Sequence, residues 1–339
     1  DYRLTGIYPL RIIKKIKKWN LDVIHSHTEF GVGTFARIIA KQFGIPLVHT
    51  YHTMYEDYVH YITKGYFDEA SKKIVEYLTK FYCDKTTTEL IVPTKKTYDL
   101  FKQKYKFDRN VHIVPTGIEI ERFYKENNNK KEIEKLKNDL GFDKNDFVIL
   151  FVGRIAEEKN INLLLDSQNI INKKYKNCKI LIVGDGPDLE NLKKQYSKNK
   201  SIVFAGKVPW ENIPKYYLLA NVFATASTSE TQGLTVIEAC AASLPPICIN
   251  DESFTNVVID DLNGKIFNTK KEYIKIIENL ILDKQTLKRL SNQARISSET
   301  YSSRYYASRV LDVYKKAIEN SGRKKGLFGK IKEIKVHEE

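Results

Sequence analysis

Apolar runs of strand length recur along this chain, and most are followed by a segment whose apolar residues repeat at helical spacing. In the first half the runs are Val23-Ile24-His25-Ser26-His27, Leu47–His52, Ile91-Val92-Pro93 and Val111–Pro115. In the second half they are Phe147–Val152, Lys179–Val183, Ile202–Ala205, Val222–Ala224 and Pro246–Ile249. A strand that is apolar at successive positions has both faces buried, so the sheet must carry helices on each side. That requirement predicts parallel strands joined by right-handed helical crossovers, with ligands at the carboxyl ends of the strands. No run approaches the ~18 apolar residues that a membrane span needs.

The intervening patterns predict helices over residues 10–19, 31–42, 66–81, 98–105, 161–175, 189–196 and 213–219, with further helices to about residue 318. The stripe of the 66–81 helix is Tyr66, Ala70, Ile74 and Leu78. The 339 residues suffice for two domains of ordinary size. The expected division is an N-terminal Rossmann-like domain over 1–123, a polar linker over 124–146 that includes a helix ending at Gly141, and a second Rossmann-like domain over 147–300. A helix over 301–320 is expected to return toward the first domain, and a basic tail covers 321–339. Two such domains facing one another make a cleft. The first domain is short at its front, with no opening strand and glycine-rich turn, so a missing first strand is expected.

The cysteines Cys83, Cys178, Cys240 and Cys248 show no C-x-x-C pairing and lie among apolar residues, which fits reduced, buried thiols. The net charge of +14 suits an anionic partner, whether nucleic acid, an anionic membrane or a phosphorylated substrate. No signal peptide pattern opens the sequence. The pairs Asp143/Asp146 and Asp260/Asp261 sit in linker and surface contexts and are not expected to bind metal.

The stretch Ser227–Ala242 brings chemistry into the frame. Glu230 and Glu238 flank Gln232-Gly233-Leu234, where a loop gives way to a helix whose inward stripe is Leu234, Ile237 and Ala241. The first N–H groups of that helix have no intrahelical partner and carry the positive end of its dipole, which makes an anion site. Carboxylates accept hydrogen bonds from vicinal hydroxyls. An anion site between two of them describes a pocket for a nucleotide sugar. Taken alone, the two glutamates are better explained as a helix cap and a surface position. Other strand ends supply independent parts: Gly153-Arg154 with Lys159 five residues on, and the tight turn Gly184-Asp185-Gly186-Pro187. Arginine grips a diphosphate with a bidentate fork and lysine as a point charge.

In this order, G-R-x₄-K, G-D-G-P and E-x₇-E with an internal Q-G-L resemble the retaining glycosyltransferases of family GT4, across about residues 21–318. His25-Ser26-His27-Thr28-Glu29-Phe30-Gly31, the segment His49–Tyr58 and Pro115-Thr116-Gly117-Ile118 look like the bacterial 1,2-diacylglycerol 3-alpha-glucosyltransferases of that family. The resemblance implies an α/β fold of the GT-B class, with two Rossmann-like parallel-sheet domains facing an interdomain cleft. It implies a UDP-glucose donor, no cofactor, no metal, and diacylglycerol in an anionic membrane as acceptor, with the enzyme peripheral on the inner face of the cell membrane. By the same resemblance Arg154 and Lys159 hold the diphosphate with Gly153, Gly184, Gly186, Gln232, Gly233 and Leu234. Glu238 holds the ribose, Glu230 the sugar hydroxyls, and His52 lies by the reacting carbon.

The sequence departs from the family in two places. Ser243-Leu244-Pro245-Pro246 replaces the usual Gly-Leu-Pro, which is expected to alter the turn slightly, and the family's N-terminal glycine-rich loop has no counterpart. Basic amphipathic stretches over 11–19 and 64–85, with Lys14, Lys15, Lys72 and Lys73, suit a bilayer surface or are ordinary helices with solvated lysines. The tail carries Leu327, Phe328, Ile331 and Ile334 at helical spacing, which suits either a membrane surface or a disordered end. Two alternatives remain at this stage: another lipid or a soluble envelope precursor as acceptor, and, from a different class, a basic nucleic-acid-binding protein. The charge is dispersed and unaccompanied by an aromatic platform, which argues against nucleic acid.

Overall fold

A computed structural model describes residues 10–29, 31–52, 68–228, 230 and 232–321. The residues Thr53–Tyr58, the start of the 66–81 helix and the basic tail lie outside it. The chain divides into two units, one running to Pro115 and resuming at Ala307, the other being Thr116–Tyr306.

The first unit holds four parallel strands in the order β1-β2-β3-β4: Ile24–Ser26, Leu47–Thr50, Glu89–Val92 and Asn110–Ile113. Register pairs His25 with Val48, His49 with Leu90 and Ile91 with His112. β2 and β3 are buried along their whole length, as near-continuous apolar runs require. The strands are shorter than the apolar runs, so His27 and His52 fall just past the ends of β1 and β2. Helix Val32–Phe43 follows β1 and ends at Gly44 in the left-handed conformation. Helix Asp68–Lys80 continues as a π-helical turn, Phe81–Lys85, and helix Lys95–Asp99 continues as a second, Leu100–Lys104.

The apolar stripe of the 66–81 helix is partly solvated where it is described. Ile74 is 60% exposed and Tyr77 70%, while Leu78 is half-buried. The apolar spacing is helical, but the face it defines is partly solvated. Trp19, just past helix Leu10–Lys18, and Ile12 within it are exposed too.

The second unit holds six parallel strands in the order β10-β9-β8-β5-β6-β7. β5 is Phe147–Val152, β6 Cys178–Val183, β7 Ile202–Gly206, β8 Val222–Thr225, β9 Pro246–Ile249 and β10 Lys265–Phe267. The order reverses at β5, which pairs β6 on one side and β8 on the other. That reversal is the topological switch where an open α/β sheet leaves a crevice beyond its carboxyl ends. The alternate residues of β5 feed two cores: Phe147, Ile149 and Phe151 one, Val148 and Leu150 the other. Ile120, Phe123 and Phe142 are buried in the second core. The stretch ahead of β5 is therefore packed against this unit, with helix Lys130–Asp139 carried on its surface. All four cysteines are buried and free.

Candidate active site

The carboxyl ends of β5 and β6 approach each other so closely that side chains are excluded. Gly153 N donates to Val183 O at 3.0 Å, and Ile155 N to Asp185 O at 2.9 Å. Gly184 has φ +143°, and a Cβ there would lie 1.8 Å from Gly153 O. A Cβ on Gly186 would lie 2.1 Å from Ile155 O. Both glycines are thus demanded by backbone meeting backbone. The result is an open cavity of about 600 Å³ lined by Gly153, Arg154, Asp185, Gly186 and Lys207. The Arg154 side chain is 59% exposed, with Glu158 Oε1 3.9 Å away.

Lys207 has no place in the sequence reading. Its signal is weak: it follows Gly206, which ends β7 with φ +71°. A carboxyl-end position beside an interrupted strand would have pointed to it.

Lys159 closes a single 3₁₀ turn, Glu157–Lys159, after which Asn160 takes the left-handed conformation and starts helix Ile161–Lys174. Its ammonium lies 2.6 Å from Glu230 Oε1 and 3.5 Å from Ser227 Oγ. Ser227 is fully buried, just past β8. The Glu230 carbonyl accepts a hydrogen bond from Ser253 Oγ. Two residues predicted far apart in sequence thus meet directly, and Glu230 caps no helix.

Helix Leu234–Ala241 starts at Gly233, with φ +71° and no side-chain cap. A Cβ at Gly233 would lie 2.8 Å from the Phe254 ring, so the close packing and the left-handed turn both demand glycine. No side chain caps the first N–H groups of the helix. Leu234 does not pack inward as expected; it is 41% exposed. A helical side chain covers the turn on its N-terminal side, and for the first residue that turn is the open loop. Val236, Ile237, Ala239, Cys240 and Ala241 form the buried face instead.

Gln232 is buried, and its carboxamide is engaged from both ends. Its Oε1 accepts from Thr116 N at 2.8 Å and its Nε2 donates to Thr116 O at 3.1 Å. It ties the Thr116 peptide to the start of the helix. Glu238 Oε2 accepts from Tyr217 OH at 2.7 Å. Burial pushes the Glu238 carboxyl up, while the Tyr217 hydrogen bond and the Arg122 charge oppose that. Burial also raises the Tyr217 hydroxyl well above its usual range, so it remains the donor.

The first unit gathers its polar groups at the ends of β1 and β2. His25 Nδ1 lies 2.8 Å from Tyr314 OH and its Nε2 lies 2.7 Å from Thr50 Oγ1. His27 Nδ1 lies 2.9 Å from His52 Nε2. His49 is buried, with Nδ1 at Ser26 and Nε2 3.1 Å from Glu29 Oε1. Desolvation lowers all four imidazoles, His25 to about 3; repulsion from neighbouring histidines adds to this at His25, His27 and His52, and the Arg37 charge adds to it at His49 against the opposing Glu29 hydrogen bond.

Glu29, His49 and Cys83 are buried with their ligand atoms within 4.8 Å of one another. Both nitrogens of His49 already have protein partners, so the group is built as a hydrogen-bonded core cluster. Burial also holds the Cys83 thiol well above its usual range, which disfavours the thiolate that a metal needs.

Lys14, Lys15 and Lys73 are exposed; the side chain of Lys72 lies outside the described residues. Among the described residues no helix is long and apolar enough to cross a membrane.

The profile described as Glycosyltransferase Family 4 matches residues 1–122, and that described as Glycosyl transferases group 1 matches residues 132–297. The chain belongs to this family of glycosyltransferases, and its fold is of the GT-B class. It is 37% identical over 329 residues to an alpha-monoglucosyldiacylglycerol synthase of Acholeplasma laidlawii, covering 95% of this chain and 82% of that protein. It is 33% identical to an enzyme of the same description from Streptococcus pneumoniae, covering 92% of this chain and 70% of that protein. Among solved structures, Anabaena Alr3699/HepE in complex with UDP superposes with a TM-score of 0.74 at 17% identity, covering 91% of this chain and 81% of that one.

Proposed function

We propose that the chain is a retaining hexosyltransferase that moves glucose from UDP-glucose to the 3-hydroxyl of 1,2-diacylglycerol, making monoglucosyldiacylglycerol. The observation that carries the reading is the Lys159–Glu230 pair, 2.6 Å apart beyond the carboxyl ends of a parallel sheet. Its cation suits a leaving diphosphate and its carboxylate suits sugar hydroxyls. The two relatives described as alpha-monoglucosyldiacylglycerol synthases support the choice of sugar and acceptor. The Anabaena homologue of the fold, whose structures hold UDP and UDP-glucose, supports the donor.

In this reading Arg154, Lys159 and the open start of helix Leu234–Ala241 hold the diphosphate. Gly184 and Gly186 let it approach the backbone. Glu238, held by Tyr217, takes the ribose hydroxyls, and Glu230 orients the sugar. Gln232 acts by fixing Thr116 to the helix start. His52 lies beside the sugar near its 6-hydroxyl. The bond from the anomeric carbon to the β-phosphate oxygen breaks as the bond to the acceptor oxygen forms on the same face. The acceptor proton passes to the departing phosphate, giving UDP and the glycolipid. No residue forms a covalent intermediate, so catalysis rests on positioning and on stabilising the charge that leaves. The chemistry needs no cofactor or metal.

Because the acceptor lives in a bilayer, we take the enzyme to be peripheral, on the inner face of the cell membrane. Exposed Ile74 and Tyr77 beside Lys73, and Lys14 and Lys15 on helix Leu10–Lys18, suit an anionic surface. Each cation near such a surface contributes about 1 kcal/mol.

A product assay by mass spectrometry tests the proposal, with UDP-glucose and UDP-galactose each offered against diacylglycerol, phosphatidylinositol and a soluble acceptor. Glucosyl-diacylglycerol formed in anionic micelles and poorly in neutral detergent is the expected result. A soluble product, or a product of phosphatidylinositol alone, would overturn the acceptor. Equal rates in neutral detergent would overturn the membrane reading.

A further inference from the structure

We infer that His27 is a positioning residue for His52: it fixes the ring and the tautomer of the histidine that stands beside the sugar. The inference rests on the role given to His52 above. His52 stands two residues past the last residue of β2, so the sheet's hydrogen bonds do not hold its side chain. Its Nε2 lies 2.9 Å from His27 Nδ1, with the two rings nearly parallel at 20° and their centroids 5.2 Å apart. Among the described residues this is the one hydrogen bond that reaches the His52 ring.

His27 is itself braced. In the sequence His25-Ser26-His27 the two histidines are two positions apart at a strand end and share a face. Their ring centroids are 4.2 Å apart. His25 is held at both nitrogens, by Tyr314 OH and Thr50 Oγ1, so it presents a fixed wall to His27. The order of support runs from Tyr314 and Thr50 to His25, then His27, then His52.

One proton occupies the bond between His27 Nδ1 and His52 Nε2. Whichever ring donates, the state of Nδ1 on His52 is then set by the pair. With Nε2 engaged, Nδ1 is the nitrogen that His52 can offer to a sugar hydroxyl. Without His27 the ring would rotate and sample both tautomers, and a displacement of about 1 Å in such a group can lower a rate about 100-fold.

The test compares His27→Ala with His27→Asn in the full chain. The asparagine amide nitrogen reaches roughly the place of Nδ1 and restores a hydrogen-bond donor. His27→Ala is expected to lower kcat about 10- to 100-fold while the donor KM stays within about twofold, and His27→Asn to recover most of the loss. Wild-type kcat in His27→Ala, or no recovery in His27→Asn, would overturn the inference. Imidazole ¹⁵N spectra judge the pairing without any activity. His52 should show one tautomer in the wild type and an exchanging mixture in His27→Ala, and a mixture already present in the wild type would overturn it. Absence of any glycosyl product from the wild type would sink the transferase reading, while the spectra would still decide whether His27 fixes His52.

Discussion

The two units meet the same architectural problem with opposite chemistry. Each is a parallel sheet with its polar residues gathered at the carboxyl ends of strands. All 7 histidines of the chain fall in the first unit, and Thr116–Tyr306 contains none. The first unit builds with imidazoles whose protonation the fold disfavours: His49 buried against Ser26 and Glu29, His25 half-buried against Thr50 and Tyr314, and His27 and His52 exposed at the strand ends. The second builds with fixed charges, Arg154, Lys159, Glu230 and Glu238, and with glycines that bring backbone close. The cations suit a diphosphate that is anionic throughout the reaction, and the carboxylates suit the hydroxyls on either side of it. Neutral imidazoles suit a hydroxyl-bearing sugar whose reacting carbon becomes positive, where a nearby imidazolium would repel.

The sharpest way to break this contrast is to remove charge from the second unit. Arg154→Ala and Glu230→Ala are each expected to lower transfer about 10²–10³-fold, as removal of a preorganised charge-stabilising group does. Circular dichroism and thermal melting should be nearly unchanged, because Arg154 is largely exposed and Glu230 lies at the edge of a loop. Wild-type turnover in either variant would sink the assignment of the charged strand ends to the donor.

Acid should separate the units next. His25 is lowered from 6.5 to about 3 in the folded chain. Between those values the unfolded chain binds a proton that the folded chain refuses, so stability is lost as pH falls below 6.5 and the loss is complete near 3. Between pH 6.5 and pH 5, His25 accounts for about 2 kcal/mol, and His27, His49 and His52 act in the same direction. Urea titrations at pH 7 and pH 5 measure this, with probes in each unit. The first unit should weaken first, and His25→Gln should flatten the dependence. Equal weakening of the second unit, which has no histidine to protonate, would contradict the contrast.

How much of this was legible in the sequence follows from the range of each interaction. Most strands of both sheets could be read because burial on two faces leaves an unbroken apolar run; β10, three residues long and only partly buried, leaves none. Gly184, Gly186 and Gly233 could be read because a turn with no room for Cβ leaves a glycine. Lys159 and Glu230 were found as members of one site, though not as a direct pair. What escaped were contacts between segments far apart that leave no period. The clasp of Gln232 on Thr116 joins residues 116 positions apart. The approach of Lys207 to the Arg154 cavity and the pairing of His27 with His52 are of the same kind. Periodicity also misled where it could not tell a buried face from a solvated one, at Leu234.

A smaller effect probes the far end of the charged site. Tyr217→Phe removes the hydroxyl that donates to Glu238 and keeps the ring in its core. A hydrogen bond to a charged group contributes about 1.5 kcal/mol, so UDP affinity should fall about tenfold by calorimetry. The bond also holds the Glu238 carboxyl down against burial, so its loss raises that group and affinity should weaken further as pH falls. Unchanged affinity would remove Glu238 from the nucleotide site and leave it a core carboxylate.

The smallest expected effect lies where the chain departs from its family, at the end of helix Leu234–Ala241. Ser243 has φ +60°, the left-handed conformation that glycine occupies without strain. Ser243 N donates to Cys240 O at 2.9 Å and Leu244 N to Ala239 O at 2.8 Å, the crossed pair that ends a helix in a Schellman motif. A β-carbon in that conformation costs about 1–2 kcal/mol. Glycine relieves it but loses more freedom on folding, by about 0.5–1 kcal/mol. Ser243→Gly should therefore stabilise the second unit by about 0.5–1 kcal/mol in urea titrations, with transfer unchanged. A destabilised variant would mean that the serine makes a compensating contact at the turn.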